Sequence, residues 1–246
     1  MNEKITVVTV TYNCEGIIRE TIDSVLKQSY HNIEYIIVDG ASKDKTLDIV
    51  KEYKDRITKF VSEPDKGIYD AMNKAIKIAT GDWIIFMNAG DVFCDNDVVT
   101  NCFSNNKQKY AVIFGSWYRK YGDKIELRDC NNPFYENKSR FKSMGFSHQS
   151  VFVKTDWARK YPFDLSYKLC ADYNMIYQIY LNGGDFYNTH IPICIFDATD
   201  GTTQQNKLLQ FKEHGRVLGI DKTLYFKCKY LEFKIKLFVK KLLYRI

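Results

Sequence analysis

The feature that most restricts this chain is a regular recurrence of short β-rich runs separated by stretches of helical periodicity. Ile5-Thr6-Val7-Val8-Thr9-Val10 is an unbroken β-rich run, the pattern of a strand buried on both faces. Ile18, Ile22, Val25 and Leu26 follow at helical spacing. Tyr35-Ile36-Ile37-Val38 reads as a second strand and Asp44 to Tyr53 as a second helix. Phe60-Val61 belongs to a short third strand. Ile68, Met72, Ile76 and Ala79 mark a third helix with Gly81 as its expected C-cap, and Trp83 to Met87 is a fourth strand. Strand starts near 5, 33, 58 and 82 stand 28, 25 and 24 residues apart, the length of a right-handed βαβ unit. The expected fold class is α/β, with a mostly parallel central sheet flanked by helices.

Beyond residue 110 the pattern changes. Tyr110 to Trp117 reads as a strand, Tyr118 to Leu127 as a hairpin turning at Gly122-Asp123, and residues 129–147 as loop. Val151 to Val153 is a strand, Ala171 to Leu181 a helix ending at Gly183-Gly184, and Phe186 to Ile195 a further strand. No Pro- or Ser-rich linker separates the halves. Residues 1–220 are therefore expected to form one domain, with a nucleotide-binding half (1–110) and an acceptor-facing half (111–220).

In parallel sheets ligands sit outside the carboxyl ends of the strands. Here those ends are Thr11-Tyr12-Asn13, Asp39-Gly40-Ala41-Ser42, Glu63-Pro64-Asp65-Lys66-Gly67 and Asn88-Ala89-Gly90-Asp91, all polar and three containing Asp. No G-x-G-x-x-G follows the first strand, which argues against a dinucleotide-binding dehydrogenase. In order and spacing the motifs resemble family 2 glycosyltransferases of the GT-A type, whose sheet is Rossmann-like. The resemblance covers residues 4 to about 200. Ser62 to Lys74 looks especially like bacterial members that build capsule, exopolysaccharide or O-antigen.

The resemblance implies an inverting transfer of a sugar from a nucleotide-sugar, a UDP-sugar above all, to a hydroxyl of a glycan or lipid-linked glycan. It implies that Asp39 accepts the ring N–H of the base with Tyr12 packing nearby; the residue-level alternative is that Asp39 only orders its turn. Thr11, Lys66, Asn73 and Asn88 complete the expected donor side, the lysine and helix start suiting phosphate. Asp91 is the candidate ligand for Mg²⁺ or Mn²⁺, which would neutralise charge on the departing diphosphate. Asn88 stands where many relatives carry Asp, so two carboxylates on the metal are not expected. The resemblance places the base at the start of the late helix, where relatives show an acidic pair; Ala171-Asp172-Tyr173 leaves Asp172, which a helix N-terminus keeps ionised, with helix capping as the other reading. His148, in Phe146-Ser147-His148-Gln149, is expected on the acceptor side. Gly201-Thr202-Thr203 would be a loop closing over the diphosphate.

Two other classes fit less well. A sugar nucleotidyltransferase would want a Gly/Arg/Lys-rich loop after the first strand, and Thr11-Tyr12-Asn13-Cys14-Glu15 is not one. A non-catalytic nucleotide-binding partner subunit has only Asn88 in its favour.

Charge becomes informative once located. The 246 residues carry 36 Lys and Arg against 30 Asp and Glu, a net +6. Residues 221–246 hold seven Lys and one Arg against Asp221 and Glu232, so the whole surplus lies there. A neutral body does not describe a nucleic-acid binder. Leu231, Ile235, Phe238, Leu242 and Ile246 form a helical apolar stripe among those cations, the pattern of a basic amphipathic helix on an anionic membrane surface. A helix docked on the domain, or a strand, remains open. No run of about 18 apolar residues occurs. The opening Met1-Asn2-Glu3-Lys4 leads straight into a strand, so the expectation is a cytoplasmic chain, peripheral at the inner membrane face. Seven scattered cysteines without metal-ligand spacing read as reduced thiols.

Overall fold

The computed structural model describes residues 3–105, 107–129, 132–136, 141–198 and 206–244. Cys130, the Gly201-Thr202-Thr203 loop, Arg245 and Ile246 lie outside them. The strands are β1 (Ile5–Thr11), β2 (Ile33–Asp39), β3 (Lys59–Ser62), β4 (Trp83–Phe86), β5 (Val92–Phe93), β6 (Val112–Tyr121), β7 (Lys124–Arg128), β8 (Phe134–Glu136), β9 (Lys142–Met144), β10 (Val151–Lys154) and β11 (Phe186–Asp197). The helices are α1 (Ile18–Leu26), α2 (Thr46–Glu52), α3 (Ile68–Ile78), α4 (Val98–Cys102), α5 (Thr155–Lys160), α6 (Ala171–Leu181), α7 (Lys207–Val217) and α8 (Leu224–Tyr244).

Nine of these strands make one sheet in the order β3-β2-β1-β4-β10-β6-β11-β5, with β7 paired to β6. The first four are parallel, as the βαβ spacing requires. Strand β10 is antiparallel to both neighbours, so the sheet is mixed on its far side. Two apolar clusters fill its faces. Val8, Val10, Ile36, Val38, Ile84 and Phe86 point toward α3, α5 and α6; Ile5, Val7, Tyr35, Ile37, Trp83 and Ile85 point toward α1, α2 and α4. Burial on both faces is why these strands read as continuous apolar runs. The six described cysteines are free.

Three local expectations change. Helix α3 ends at Ile78 with Ala79 in extended geometry, so Gly81 is not its C-cap. Gly81 is small because a Cβ would meet Thr6 Oγ1 at 2.6 Å and the Lys4 carbonyl at 2.7 Å. Residues 129–147 are not all loop, since β8 and β9 pair as an antiparallel ribbon. Helix α7 stands where no element was expected, and a Cβ at Gly215 in its interior would overlap the Phe226 ring of α8.

The tail is helical, not a strand, and uses two faces. Phe226 and Phe233 pack on Phe211 of α7 at ring separations of 5.3 and 4.9 Å, and Phe226 also meets Phe141 at 5.6 Å. At 100° per residue, Leu231, Ile235, Phe238 and Leu242 fall on the opposite side. Each is more than half exposed. Exposed lysines flank this stripe, Lys227 and Lys234 on one side and Lys236 on the other.

At the amino end of the sheet one buried carboxylate ties three strands to the connection that enters β4. Glu34 accepts from Thr6 Oγ1 at 2.7 Å and Thr80 N at 2.6 Å, and pairs with Lys59 at 3.0 Å. Burial would raise its pKa, but the hydrogen bonds from Thr80, Thr6 and Lys59 outweigh it and bring the carboxyl from 4.5 down to about 2. A depressed native pKa stabilises the fold above the unfolded value and loses that contribution as pH falls through the native one. Glu34→Gln should therefore lower stability on the order of a few kcal/mol at neutral pH. In urea unfolding the gap to wild type should be complete above pH 4.5 and close as pH falls toward about 2. A gap independent of pH would mean the carboxylate charge contributes nothing.

Candidate active site

The register of β1, β2 and β3 sets Thr11 beside Asp39 and Asp39 beside Ser62 on one edge. Asp39 is fully buried. Its carboxylate accepts from Ser42 N at 2.9 Å, from the Ser42 hydroxyl, and from Ser62 Oγ at 2.7 Å. These bonds order the Gly40-Ala41-Ser42 turn and occupy three of roughly four lone-pair sites. Ser42 Oγ also accepts from Asn13 N at 2.8 Å, and Asn13 Oδ1 accepts from Lys43 N at 2.8 Å, so the turns after β1 and β2 are locked together. Asn13 and Ala41 take positive φ of 51° and 63° to allow this. Tyr12 is 57% exposed and lies against Gly40, as does Asp65. Thr11 Oγ1 is buried with no hydrogen-bond partner among the described residues.

The turn after β4 is clamped by α1. Thr21 Oγ1 accepts from Gly90 N at 2.9 Å, and Asp91 N donates to the Asn88 carbonyl at 2.9 Å. Strand β5 then fastens the turn to β11. Asp91 is buried, and burial pushes its carboxyl up to about 7, against the lowering effect of His148 and Gln149. Asn88 Oδ1 is buried without a hydrogen-bond partner among the described residues. A buried carboxylate beside an unused carbonyl oxygen suits a hard divalent cation. No group of three or more His, Cys, Asp or Glu side chains able to hold a metal occurs among the described residues, so such an ion would take further oxygens from diphosphate and water.

His148 joins this turn to the start of α6. Its Nδ1 lies 3.2 Å from Asp172 Oδ2 and its Nε2 lies 3.3 Å from Asn88 Nδ2. With the proton on Nδ1, the imidazole donates to Asp172 and accepts from Asn88, satisfying both contacts in the neutral ring. Burial lowers the His148 pKa, but the hydrogen bond and charge of Asp172, with the charge of Asp91, raise it overall. Tyr69 of α3 donates its hydroxyl to Asp172 Oδ1 at 3.3 Å, and its ring stacks on Phe163 at 5.4 Å. Burial and the Asp172 charge push the Tyr69 pKa upward, which keeps the hydroxyl a donor. Asp172 thus stands at the junction of α3, α6 and the His148 turn, with one further bond from Tyr173 N at 2.8 Å.

Thr11, Tyr12, Asp39, Asn88, Asp91, His148 and Asp172 are brought to one end of the sheet. Lys66 is exposed, its backbone N bonded to Asp70 at 3.0 Å. Both ends of the Asn73 amide are engaged elsewhere, donating to the Phe163 carbonyl at 2.8 Å and accepting from Phe163 N at 2.9 Å. Asn73 is therefore a brace between α3 and the 163 segment, not an open donor-side group. Tyr69, Asp65 and Thr21 were not foreseen as site residues. Asp65 and Tyr69 sit inside the Ser62–Lys74 motif, which marks the segment without assigning its side chains.

The half-parallel sheet thus carries a buried acidic turn after β4 and, joined to it through His148, the Asp172 carboxylate. The model of Glycosyl transferase family 2 matches residues 6–169, and the chain belongs to that family. A PGL/p-HBAD biosynthesis glycosyltransferase of Mycobacterium bovis is 27% identical over 182 residues, covering 70% of this chain and 68% of its own. The Escherichia coli UDP-Glc:alpha-D-GlcNAc-diphosphoundecaprenol beta-1,3-glucosyltransferase WfaP is 26% identical over 217 residues, 88% of this chain and 86% of its own. Among solved structures, S. aureus TarS 1-349 in complex with UDP-GlcNAc matches with a TM-score of 0.70 at 19% identity, over 89% of this chain and 66% of that one. The Pyrobaculum calidifontis mannosyltransferase PcManGT in complex with GDP-Man and Mn2+ matches with a TM-score of 0.67 at 16% identity, over 89% and 64%. The chain spans about two thirds of the length of these solved structures, and the likeness is one of fold.

Proposed function

We propose that the protein transfers a sugar from a UDP-sugar to a hydroxyl of a lipid-linked glycan with inversion, in the building of a surface polysaccharide. The observation that carries this is Asp172, which faces His148 and Tyr69 beside the Asn88–Asp91 turn. WfaP, similar over most of both chains, is named as a glucosyltransferase from UDP-Glc to a GlcNAc-diphosphoundecaprenol.

In this reading Asp39 uses its remaining acceptor site on the base, with Tyr12 beside it and Thr11, Asn88 and Lys66 toward the phosphates. Asp91, with Asn88 nearby, would hold Mg²⁺ or Mn²⁺. When bound, that ion supplies positive charge that offsets what builds on the leaving diphosphate. Tyr69 and His148 fix the Asp172 carboxylate by two hydrogen bonds. Asp172 removes the acceptor hydroxyl proton as the oxygen attacks the anomeric carbon from the face opposite the leaving group. The new carbon–oxygen bond forms while the carbon–phosphate-oxygen bond breaks, so UDP departs and the configuration inverts. Asp172 ends the step protonated.

Two measurements test this with UDP-glucose and a GlcNAc-diphosphate lipid as the first pair. In calorimetry Mn²⁺ should strengthen UDP binding to wild type and much less to Asp91→Ala; equal enhancement in both removes Asp91 from the metal. Asp172→Asn should keep UDP affinity and lose on the order of 10²–10⁴ in turnover. Near-normal turnover rejects it as the base.

The acceptor reading extends to α8. Among the described residues no helix is long and apolar enough to cross a membrane. The exposed stripe of Leu231, Ile235, Phe238 and Leu242, flanked by lysines, suits an anionic bilayer surface, with Lys and Arg adding about 1 kcal/mol each near the lipid. Because the opposite face of α8 packs on α7, point changes test this better than truncation. Ile235→Glu with Phe238→Glu should abolish sedimentation with anionic vesicles and leave the melting temperature and UDP binding unchanged. Salt should weaken the wild-type interaction. Wild-type protein that ignores anionic vesicles at low salt would refute the membrane role.

A further inference from the structure

The segment leading into α6 is held from outside by three residues of α7. Glu213 is buried, and its carboxylate accepts three successive backbone N–H groups. Lys168 N reaches Oε1 at 2.8 Å, while Leu169 N and Cys170 N reach Oε2 at 2.8 and 3.0 Å. Cys170 is the N-cap of α6 and offers no capping side chain of its own. Cysteine is not among the residues that cap well, so the helix start would otherwise leave buried donors unpaired. Two neighbours on α7 fix the same segment. His214 Nε2 meets the Lys142 carbonyl, and its ring stands edge-on to Tyr173 at 4.8 Å. Arg216 bonds the Ser166 carbonyl at 3.2 Å and lies 4.0 Å over the Tyr167 ring.

Asp172 comes two residues after that cap. Its carboxylate is set against His148 and Tyr69 at 3.2 and 3.3 Å, so a small displacement of the first turn of α6 breaks both contacts. Glu213 takes the N–H groups of residues 168–170 that lead into α6, while Asp172 takes only Tyr173 N in the first turn and keeps its carboxylate against His148 and Tyr69. We propose that Glu213 is a positioning residue for the base: by holding residues 168–170 from α7 it sets where α6 begins and so where the Asp172 carboxylate stands. This rests on the reading of Asp172 as base.

Glu213→Gln keeps the shape but leaves one acceptor oxygen for three N–H donors and turns an amide donor toward them. It should lower kcat by about 10- to 100-fold, as misplacement of a reacting group does, with UDP affinity and donor KM unchanged. A general loosening of the fold would move those as well. Added to Asp172→Asn, it should cost nothing further, because the group it positions is already disabled. Glu213→Asp, a methylene short, should fall between wild type and Glu213→Gln. Wild-type kcat in either folded variant overturns the proposal, as does a full additional loss in the double variant. If Glu213→Gln does not fold, Glu213→Asp decides alone. Near-normal turnover in Asp172→Asn would instead remove the base reading. Lost turnover there together with normal kcat in Glu213→Gln would overturn only the positioning role.

Discussion

The structure depends on the parallel pairing of β1 between β2 and β4. Parallel neighbours cannot be joined by a tight turn, so every connection must cross a face of the sheet as a helix. That covers both faces, makes the central strands largely apolar, and concentrates the chemistry-bearing polar groups at their ends. Glu34 gathers the amino ends of the strands through Thr6, Thr80 and Lys59, while the carboxyl ends release Asp39, Ser62 and the Asn88–Asp91 turn on the opposite side. One end of the sheet holds a fully partnered carboxylate. The other holds Asp91, whose burial pushes its carboxyl up to about 7 despite His148 and Gln149, and two buried oxygens, on Thr11 and Asn88, with no partner among the described residues.

His148 makes a single unit of two regions that the sequence separates widely. Its ring spans the Asn88 amide and the Asp172 carboxylate, 84 positions apart in the chain and both within 3.3 Å of the imidazole. The neutral ring, with one N–H and one lone pair, matches the amide on one side and the carboxylate on the other. The position of Asp172 is thereby referred to the turn that carries Asp91, and a shift of either is felt by the other.

The parts of this architecture that follow from local rules were legible in the sequence. Strands β1 to β4 and helices α1 to α3 appear where apolar runs and helical spacing predict them, and the candidate residues collect at strand ends because connectivity dictates it. Residues whose roles are tertiary were not legible. Asn73 reads as an open polar group on a helix, but its partner is the backbone of Phe163, far along the chain. Gly81 reads as a cap and is a point of close approach to β1. Helix α7, and with it Glu213, was not read from the pattern, and nothing local announces that an aromatic ring occupies the space above Gly215. The tail offered membrane contact or docking as alternatives. A single stripe was visible in the pattern, whereas the helix carries a second apolar set at Phe226 and Phe233.

That division of α8 separates two kinds of evolutionary freedom. The inward face is committed, since the Phe226 ring fills the space any side chain at 215 would need and abuts the helix bearing Glu213. The outward residues Leu231, Ile235, Phe238 and Leu242 are each more than half exposed, so they can be exchanged or made polar at little cost to the packing of α8 on α7. A lineage carrying this fold can thus change what the outer side of this helix presents through a handful of exposed positions while the packing beneath it stays as it was.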